Sequence, residues 1–291
     1  MTDAAFHPQP DPGFTYSHPA QSRPRRALIR TVERISGQPK LRNLYLGWAA
    51  SPRRSEPVFD AALRLLDIAP QHHWTVPAAH IPATGGLLLV ANHPYGIVDG
   101  LALCQLGMEL RGNVQILTNS VLCQPAEVTP HLLPIDFSGT PQARKTSATS
   151  RRLAIDLLAA GKTVAMFPAG GIATANAPLR GAAYDAEWHG FVARLALIAG
   201  VTTLPVHFGG RNSRLFQIAS HLSYPLRVAL VFHETRRLCG KPLPMTIGAP
   251  VTAAELSSLP KEAVAADLRR RTMALGGTGD EVFHWPAHVK W

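Results

Sequence analysis

His93 and Asp99 stand six residues apart in the stretch Asn92-His93-Pro94-Tyr95-Gly96-Ile97-Val98-Asp99-Gly100. Imidazole is the side chain whose ordinary pKa lies near neutrality, so His93 can take a proton from a hydroxyl. A carboxylate folded back onto the ring can fix its tautomer and stabilise the imidazolium, as in serine-type triads. A plainer assignment uses the same residues: Asn92 and Gly96 shape a turn, Asp99 caps a helix, and His93 is an ordinary loop histidine. The pair alone leaves both readings open.

The elements around the pair decide where it stands. Residues 87–90 are an apolar run after Gly85-Gly86, which predicts a buried strand. Asn92, Pro94 and Gly96 punctuate the backbone, and Asp99 opens a periodic apolar segment over 101–110. The histidine and the aspartate therefore share a loop between a strand end and a helix start, where open α/β sheets place their ligands. Further strands are predicted at 114–117, 132–135 (a short edge strand with Pro134), 163–167, 202–208, 227–232 and 244–247, and helices at 151–160, 191–199 and 264–273. The alternation predicts an α/β fold with a mixed, largely parallel sheet flanked by helices, preceded by an amphipathic helical segment. The expected division is a disordered tail over 1–24, a helical membrane-associating segment over 25–80, a main domain over 81–275 and a C-terminal tail over 276–291.

Two strand exits add chemistry. Phe167-Pro168-Ala169-Gly170-Gly171 ends in adjacent glycines that can turn backbone N–H groups toward an anion, either a phosphate or a tetrahedral oxyanion. Gly209-Gly210-Arg211-Asn212 sets an arginine beside a glycine pair, suited to a carboxylate or phosphate; the alternative is a helix start with a solvated basic face. Gly161-Lys162-Thr163 imitates the end of a phosphate-binding loop, but Asp156 occupies the required glycine position and a strand follows, so it is rejected. His72, His73 and His80 lack a further ligand at a convincing spacing, and no metal is expected. A serine hydrolase is disfavoured, because no G-x-S-x-G occurs.

The formal net charge of +10 implies an anionic partner: a membrane surface, a nucleic acid or an acidic substrate. Without zinc-finger spacing or an aromatic RNP-like motif, and with basic residues spread along the chain, nucleic acid is not expected. Cys104, Cys123 and Cys239 are odd in number, lack CxxC spacing and read as reduced packing residues of a cytosolic protein. The start does not read as a signal peptide, and no apolar run is long enough to span a bilayer. Over 25–35, Leu28, Ile29, Val32 and Ile35 form a helical stripe while Arg26, Arg30 and Arg34 line another face. Phe59, Leu63, Leu66 and Ile68 mark a second amphipathic segment. Such helices either rest on an anionic membrane or pack on the domain.

Four blocks in order carry a resemblance. Asn92-His93-Pro94 with Gly96 and Asp99-Gly100, then Phe167-Pro168-Ala169-Gly170, then Leu204-Pro205-Val206, then Gly210-Arg211-Asn212-Ser213 with Leu215-Phe216 are similar to the glycerolipid (lysophosphatidic acid-type) acyltransferase superfamily, in its hemolysin-like or amino-lipid O-acyltransferase branch. The similarity covers about residues 41–250. It implies acyl transfer from a thioester, acyl carrier protein or acyl-CoA, to a hydroxyl of a lyso-lipid, with the thioester as co-substrate and no bound cofactor. In that scheme His93 is the general base, Asp99 orients it, and Asn92, Gly96, Phe167, Pro168, Gly170, Gly171, Arg211 and Asn212 contact substrate. Backbone N–H groups near Gly170 and Gly171 hold the oxyanion, Arg211 holds the headgroup, and an acyl chain runs in a tunnel or groove. The implied station is peripheral, on the cytoplasmic face of the inner membrane.

The chain departs from the superfamily at two places. The region of its second motif reads His131-Leu132-Leu133-Pro134-Ile135-Asp136-Phe137, without the phosphate-holding arginine. Ala169 stands where the superfamily's F-P-E-G block has glutamate, and Gly171 where the branch has an acid; Tyr184, Asp185, Glu187 and Trp188 offer an acid from another direction. These departures make an amino-acid-containing lyso-lipid as credible an acceptor as lysophosphatidate. They also leave a second reading, a catalytically weakened acyltransferase fold that binds lipid without turnover.

Overall fold

The run Leu87–Ala91 has no solvent exposure at any of its residues, and the fold is built outward from it. The structure, a computed structural model, describes residues 14–17, 21–120, 125–137 and 139–289. Strands β1 (Ala69–Trp74), β2 (Leu87–Ala91), β3 (Gln115–Asn119), β4 (Leu132–Ile135), β5 (Thr163–Met166), β6 (Thr202–Phe208), β7 (Pro242–Ile247) and β8 (Val251–Thr252) form one eight-stranded sheet. The order is β1-β7-β6-β2-β5-β3-β4, with β8 paired to β6. From β6 to β4 neighbouring strands are parallel; β7 and β8 run antiparallel to β6, and β1 runs parallel to β7. This is the mixed, largely parallel sheet read from the sequence.

Helices cover both faces: α1 (Arg23–Ser36), α2 (Gln38–Ala49), α3 (Val58–Leu65), α4 (Ile97–Arg111), α5 (Pro141–Ala159), α6 (Phe191–Ala196), α7 (Arg214–Leu222), α8 (Tyr224–Ala229), α9 (Val231–Leu238), α10 (Ala253–Leu256) and α11 (Lys261–Ala274). Leu87, Leu89 and Ala91 face the cluster containing Phe59 and Leu63 of α3 and Leu103 and Leu106 of α4. Leu88 and Val90 face Leu158 of α5, Leu195 of α6 and Leu268 of α11. Burial on both faces is why β2 reads as an unbroken apolar run rather than an alternating one.

Residues 227–232 span the end of α8 and the start of α9, with Leu230 as the turn between them, not the strand expected from their Val, Leu and Phe content. Pro225 sits in the first turn of α8, and Val231, Glu234, Thr235 and Leu238 bury one face of α9 at helical spacing. Both helices pack against α1. There, too, the expected stripe divides: Ile29, Glu33 and Ser36 turn inward, while Leu28 and Ile35 are left 43% and 79% exposed. The Glu33 carboxylate accepts the Thr15 hydroxyl and the Tyr16 N–H, each at 2.6 Å. Part of the segment expected to be a disordered tail, residues 14–17, is thereby anchored; residues 1–13 and 18–20 lie outside the described residues, as does Cys123. Cys104 is a buried free thiol and Cys239 a half-buried one. His72 and His73 lie on β1 and His80 on a short 3-10 turn. Among the described residues, no helix is long and apolar enough to cross a membrane.

Candidate active site

Parallel strands that end together bring their exits side by side. Val90 is in register with Met166 of β5, and Ala91 with Val206 of β6, so the residues after β2 emerge between those two exits. The His93 imidazole stacks on the Phe167 ring, centroids 3.9 Å apart and planes at 21°. On the other side the Asn92 amide accepts the Phe208 N–H at 2.7 Å and donates to the Phe208 carbonyl at 2.9 Å. Asn92 thus adds one rung to the β2–β6 ladder with its side chain and sets the angle at which the histidine leaves the sheet.

Asp99 is the third residue of α4 and fully buried. Its Oδ2 accepts the N–H groups of Tyr95 at 2.7 Å and Gly96 at 3.0 Å, and lies 3.1 Å from His93 Nδ1. Oδ1 has no partner. The helix-capping role and the histidine-orienting role are therefore served by the same oxygen, and the two readings of the sequence hold together. The Nδ1–Oδ2 approach is close but not aligned as a straight hydrogen bond, and catalytic hydrogen bonds often tighten only when substrate is present. Burial raises the Asp99 pKa, opposed by His93 and by the Tyr95 and Gly96 N–H groups.

The loop after β5 grips the histidine from both ends of its peptide. Ala173 N–H donates to the His93 carbonyl at 2.7 Å, and His93 N–H donates to Asp185 Oδ1 at 3.1 Å. Asp185 Oδ2 accepts the Trp188 indole N–H at 3.0 Å. Gly96 has φ +90°, and a Cβ there would come within 2.9 Å of the Ile172 side chain, so only glycine lets this loop close on the start of α4. The Gly170 N–H closes a turn onto the Phe167 carbonyl at 3.0 Å, which occupies it and leaves Gly171 as the available donor of the pair.

Asp185 is a buried carboxylate whose pKa burial pushes from 3.8 up to about 6, opposed by Trp188, the His93 N–H and the charges of His93 and Arg269. The folded chain therefore holds this proton more tightly than the unfolded chain. The resulting stabilisation is complete below about pH 4 and lost as pH rises through about 6, an effect of about 3 kcal/mol. Asp185→Asn should remove that slope. Denaturant midpoints of wild type and variant should differ in one sense at pH 4.5 and shift relative to each other by pH 7; parallel midpoints at both would show that Asp185 does not titrate there.

A cavity of about 600 Å³ opens at this loop. His93, Gly96, Phe167, Pro168, Gly170 and Gly171 line its polar end. Leu44 and Trp48 of α2, Phe59 of α3, Leu101 and Cys104 of α4, and the anchored Phe14 and Tyr16 also line it, as do Arg151 and Arg227. Arg211 stands elsewhere. With Asn92, Asp185 and His207 it borders a separate hollow of about 330 Å³, and its guanidinium donates to the Gly181 carbonyl. The glycines before it serve Tyr95: its hydroxyl donates to the Gly209 carbonyl at 3.0 Å, and a Cβ on Gly210, at φ +105°, would overlap that hydroxyl. Asn212 is 2% exposed and makes no side-chain hydrogen bond. Of the expected substrate contacts, Asn92, Arg211 and Asn212 thus lie outside the cavity that holds His93.

Residues 73–272 match the acyltransferase family. The chain belongs to that family. Two curated relatives, the lyso-glycine lipid O-acyltransferases of Phocaeicola vulgatus and Bacteroides thetaiotaomicron, are each 28% identical over 179 and 180 residues. The matches cover 59% and 57% of this chain and 61% and 63% of the relatives, so the chain spans less than two thirds of either. A solved 1-acyl-sn-glycerophosphate (LPA) acyltransferase, PlsC, from Thermotoga maritima gives a TM-score of 0.44 at 13% identity, covering 86% of this chain and 94% of that one. The stretch shared with the acyltransferase family runs from β1 into α11 and contains the His93 loop and both strand exits beside it. It excludes α1, α2 and α3, of which α2 and α3 supply apolar side chains to the cavity wall.

Proposed function

We propose that this chain is an O-acyltransferase that moves a fatty acyl group from a thioester, acyl carrier protein or CoA, to a hydroxyl of a lyso-lipid. The observation that carries the reading is His93, backed by a buried carboxylate, in the wall of an apolar cavity of about 600 Å³. That volume is in the range of ligand-binding clefts.

The acceptor hydroxyl donates its proton to His93 Nε2 as its oxygen attacks the thioester carbonyl. The tetrahedral oxyanion faces the Gly171 N–H, the C–S bond breaks, and the thiolate leaves with the proton returned from the imidazolium. Asp99 stabilises that imidazolium through Oδ2. The acyl chain lies against the side chains of α2, α3 and α4. The names of the two curated relatives favour a lyso-glycine lipid as acceptor over lysophosphatidate. Exposed Leu28 and Ile35, with Arg30 and Arg34 also exposed on α1, form the surface proposed to rest on an anionic membrane, at the cytoplasmic face of the inner membrane.

The test is transfer from labelled acyl carrier protein and acyl-CoA thioesters to a lyso-glycine lipid and to lysophosphatidate, on anionic vesicles. Esterified lyso-glycine lipid is the expected product. Lipid binding without transfer from either donor would replace this proposal with a binding-only role.

A further inference from the structure

Arg227 is a buried cation that lines the same cavity and has no carboxylate partner among the described residues. It is 3% exposed and lines the space that holds His93. Its guanidinium carbon lies over two rings, 4.9 Å from the centroid of Phe216 and 4.8 Å from that of Trp285. Nη1 donates to the Thr174 and Ser220 hydroxyls, and Nη2 to the Ile172 carbonyl. All of these partners are neutral. Three of the five guanidinium N–H groups are used, and two remain.

A buried charge normally has a counter-charge, because desolvating an ion costs several kcal/mol. Burial lowers the Arg227 pKa only to about 10, so the group stays ionised near neutrality. The bonds to Ile172 and Thr174 fix its place relative to the reacting centre: the residue between them, Ala173, is the one whose N–H holds the His93 carbonyl. Arg211, the expected headgroup ligand, borders a different hollow. Two arginines line the cavity that holds His93 among the described residues: Arg151, which is exposed, and Arg227 of α8, which is buried.

Building on the acyl-transfer reading of this cavity, we propose that Arg227 pairs with the anionic headgroup of the lyso-lipid acceptor, a carboxylate or a phosphate, and so directs its hydroxyl to His93. A planar fork with free donors suits a two-oxygen anion. The two ring contacts and three hydrogen bonds restrain the guanidinium, which lowers the ordering needed when the acceptor arrives.

The competing role is a brace for the loop from Ile172 to Thr174, and it predicts no dependence on acceptor charge. Three acceptors separate the two: a hydroxyacyl-glycine with a free carboxylate, its methyl ester, and lysophosphatidate. Wild type should transfer to one of the anionic acceptors with kcat/KM at least tenfold above the ester. Arg227→Gln should lower kcat/KM for that acceptor at least tenfold more than for the ester, mainly through KM, and Arg227→Lys should fall between. Preference for the glycine acid identifies a carboxylate as the anion; preference for lysophosphatidate identifies a phosphate. Equal losses on acid and ester, or a wild type indifferent to acceptor charge, would overturn the assignment while leaving acyl transfer intact. If Arg227→Gln does not fold, the wild-type preference and Arg227→Lys decide it. A wild type inactive on every acceptor overturns the acyl-transfer reading and this one with it.

Discussion

Replacing His93 with alanine is expected to lower acyl transfer by about 10³-fold, within the range that a positioned general base contributes. In barrier terms that is about 4 kcal/mol. The structural cost should be small. The backbone of His93 is held through its N–H by Asp185 and through its carbonyl by Ala173, and neither bond involves the imidazole. What the substitution removes, besides the 3.1 Å approach of Nδ1 to Asp99 Oδ2, is the stack on Phe167, worth about 1 kcal/mol. For a chain of this size that is a fall of about 2–4 °C in Tm. Parallel melting curves and single-turnover transfer rates check both halves. An alanine variant that keeps its rate to within a few-fold would remove His93 as the base, whatever its stability.

The parts of this site that were legible in the sequence are those whose function is local. β2 showed itself because burial on both faces leaves no polar position in Leu87–Ala91. The His93–Asp99 pair was visible because a strand exit and a helix start lie within a few residues of each other. Asp185 was visible only as a nearby acid. Its bond to the His93 N–H spans 92 residues and exists because β5, whose exit loop carries it, lies parallel to β2. Arg227 was hidden twice, once because its segment has strand-like composition and once because its partners lie in the loop after β5. Phe14 and Tyr16 sit in a Pro- and His-rich stretch that local pattern reads as disordered; two hydrogen bonds to Glu33, on α1, and ring contacts with Tyr45 and Phe232 hold them over the cavity. Arg211 is the converse case, a cation that the structure places at a different hollow from His93. Its neighbouring glycines have the composition of an anion site, yet the space they free is taken by the Tyr95 hydroxyl.

Asp99→Asn is expected to lower transfer by about 10²- to 10⁴-fold with the Tm held or raised. The asymmetry of the carboxylate makes this substitution unusually clean. Oδ2 receives the Tyr95 and Gly96 N–H groups and faces His93, while Oδ1 is buried without a partner. An amide can place its oxygen where Oδ2 lies and its nitrogen in the unpartnered position, so the turn and the helix start keep both bonds. The charge alone is removed. Burial raises the pKa of this carboxyl, so the folded state holds its proton more tightly than the unfolded state does. That contribution to stability is present at acid pH and is lost as pH rises through the folded pKa, above which the buried charge is a cost. The amide variant carries no such cost. Asp99→Ala would not make the same distinction, because two buried N–H groups would lose their acceptor at about 1–3 kcal/mol each. Transfer kinetics and thermal melts on the amide variant therefore separate the two duties of one oxygen. Unchanged transfer would reduce Asp99 to a helix cap, and a collapsed fold would show that the cap needs the charge itself.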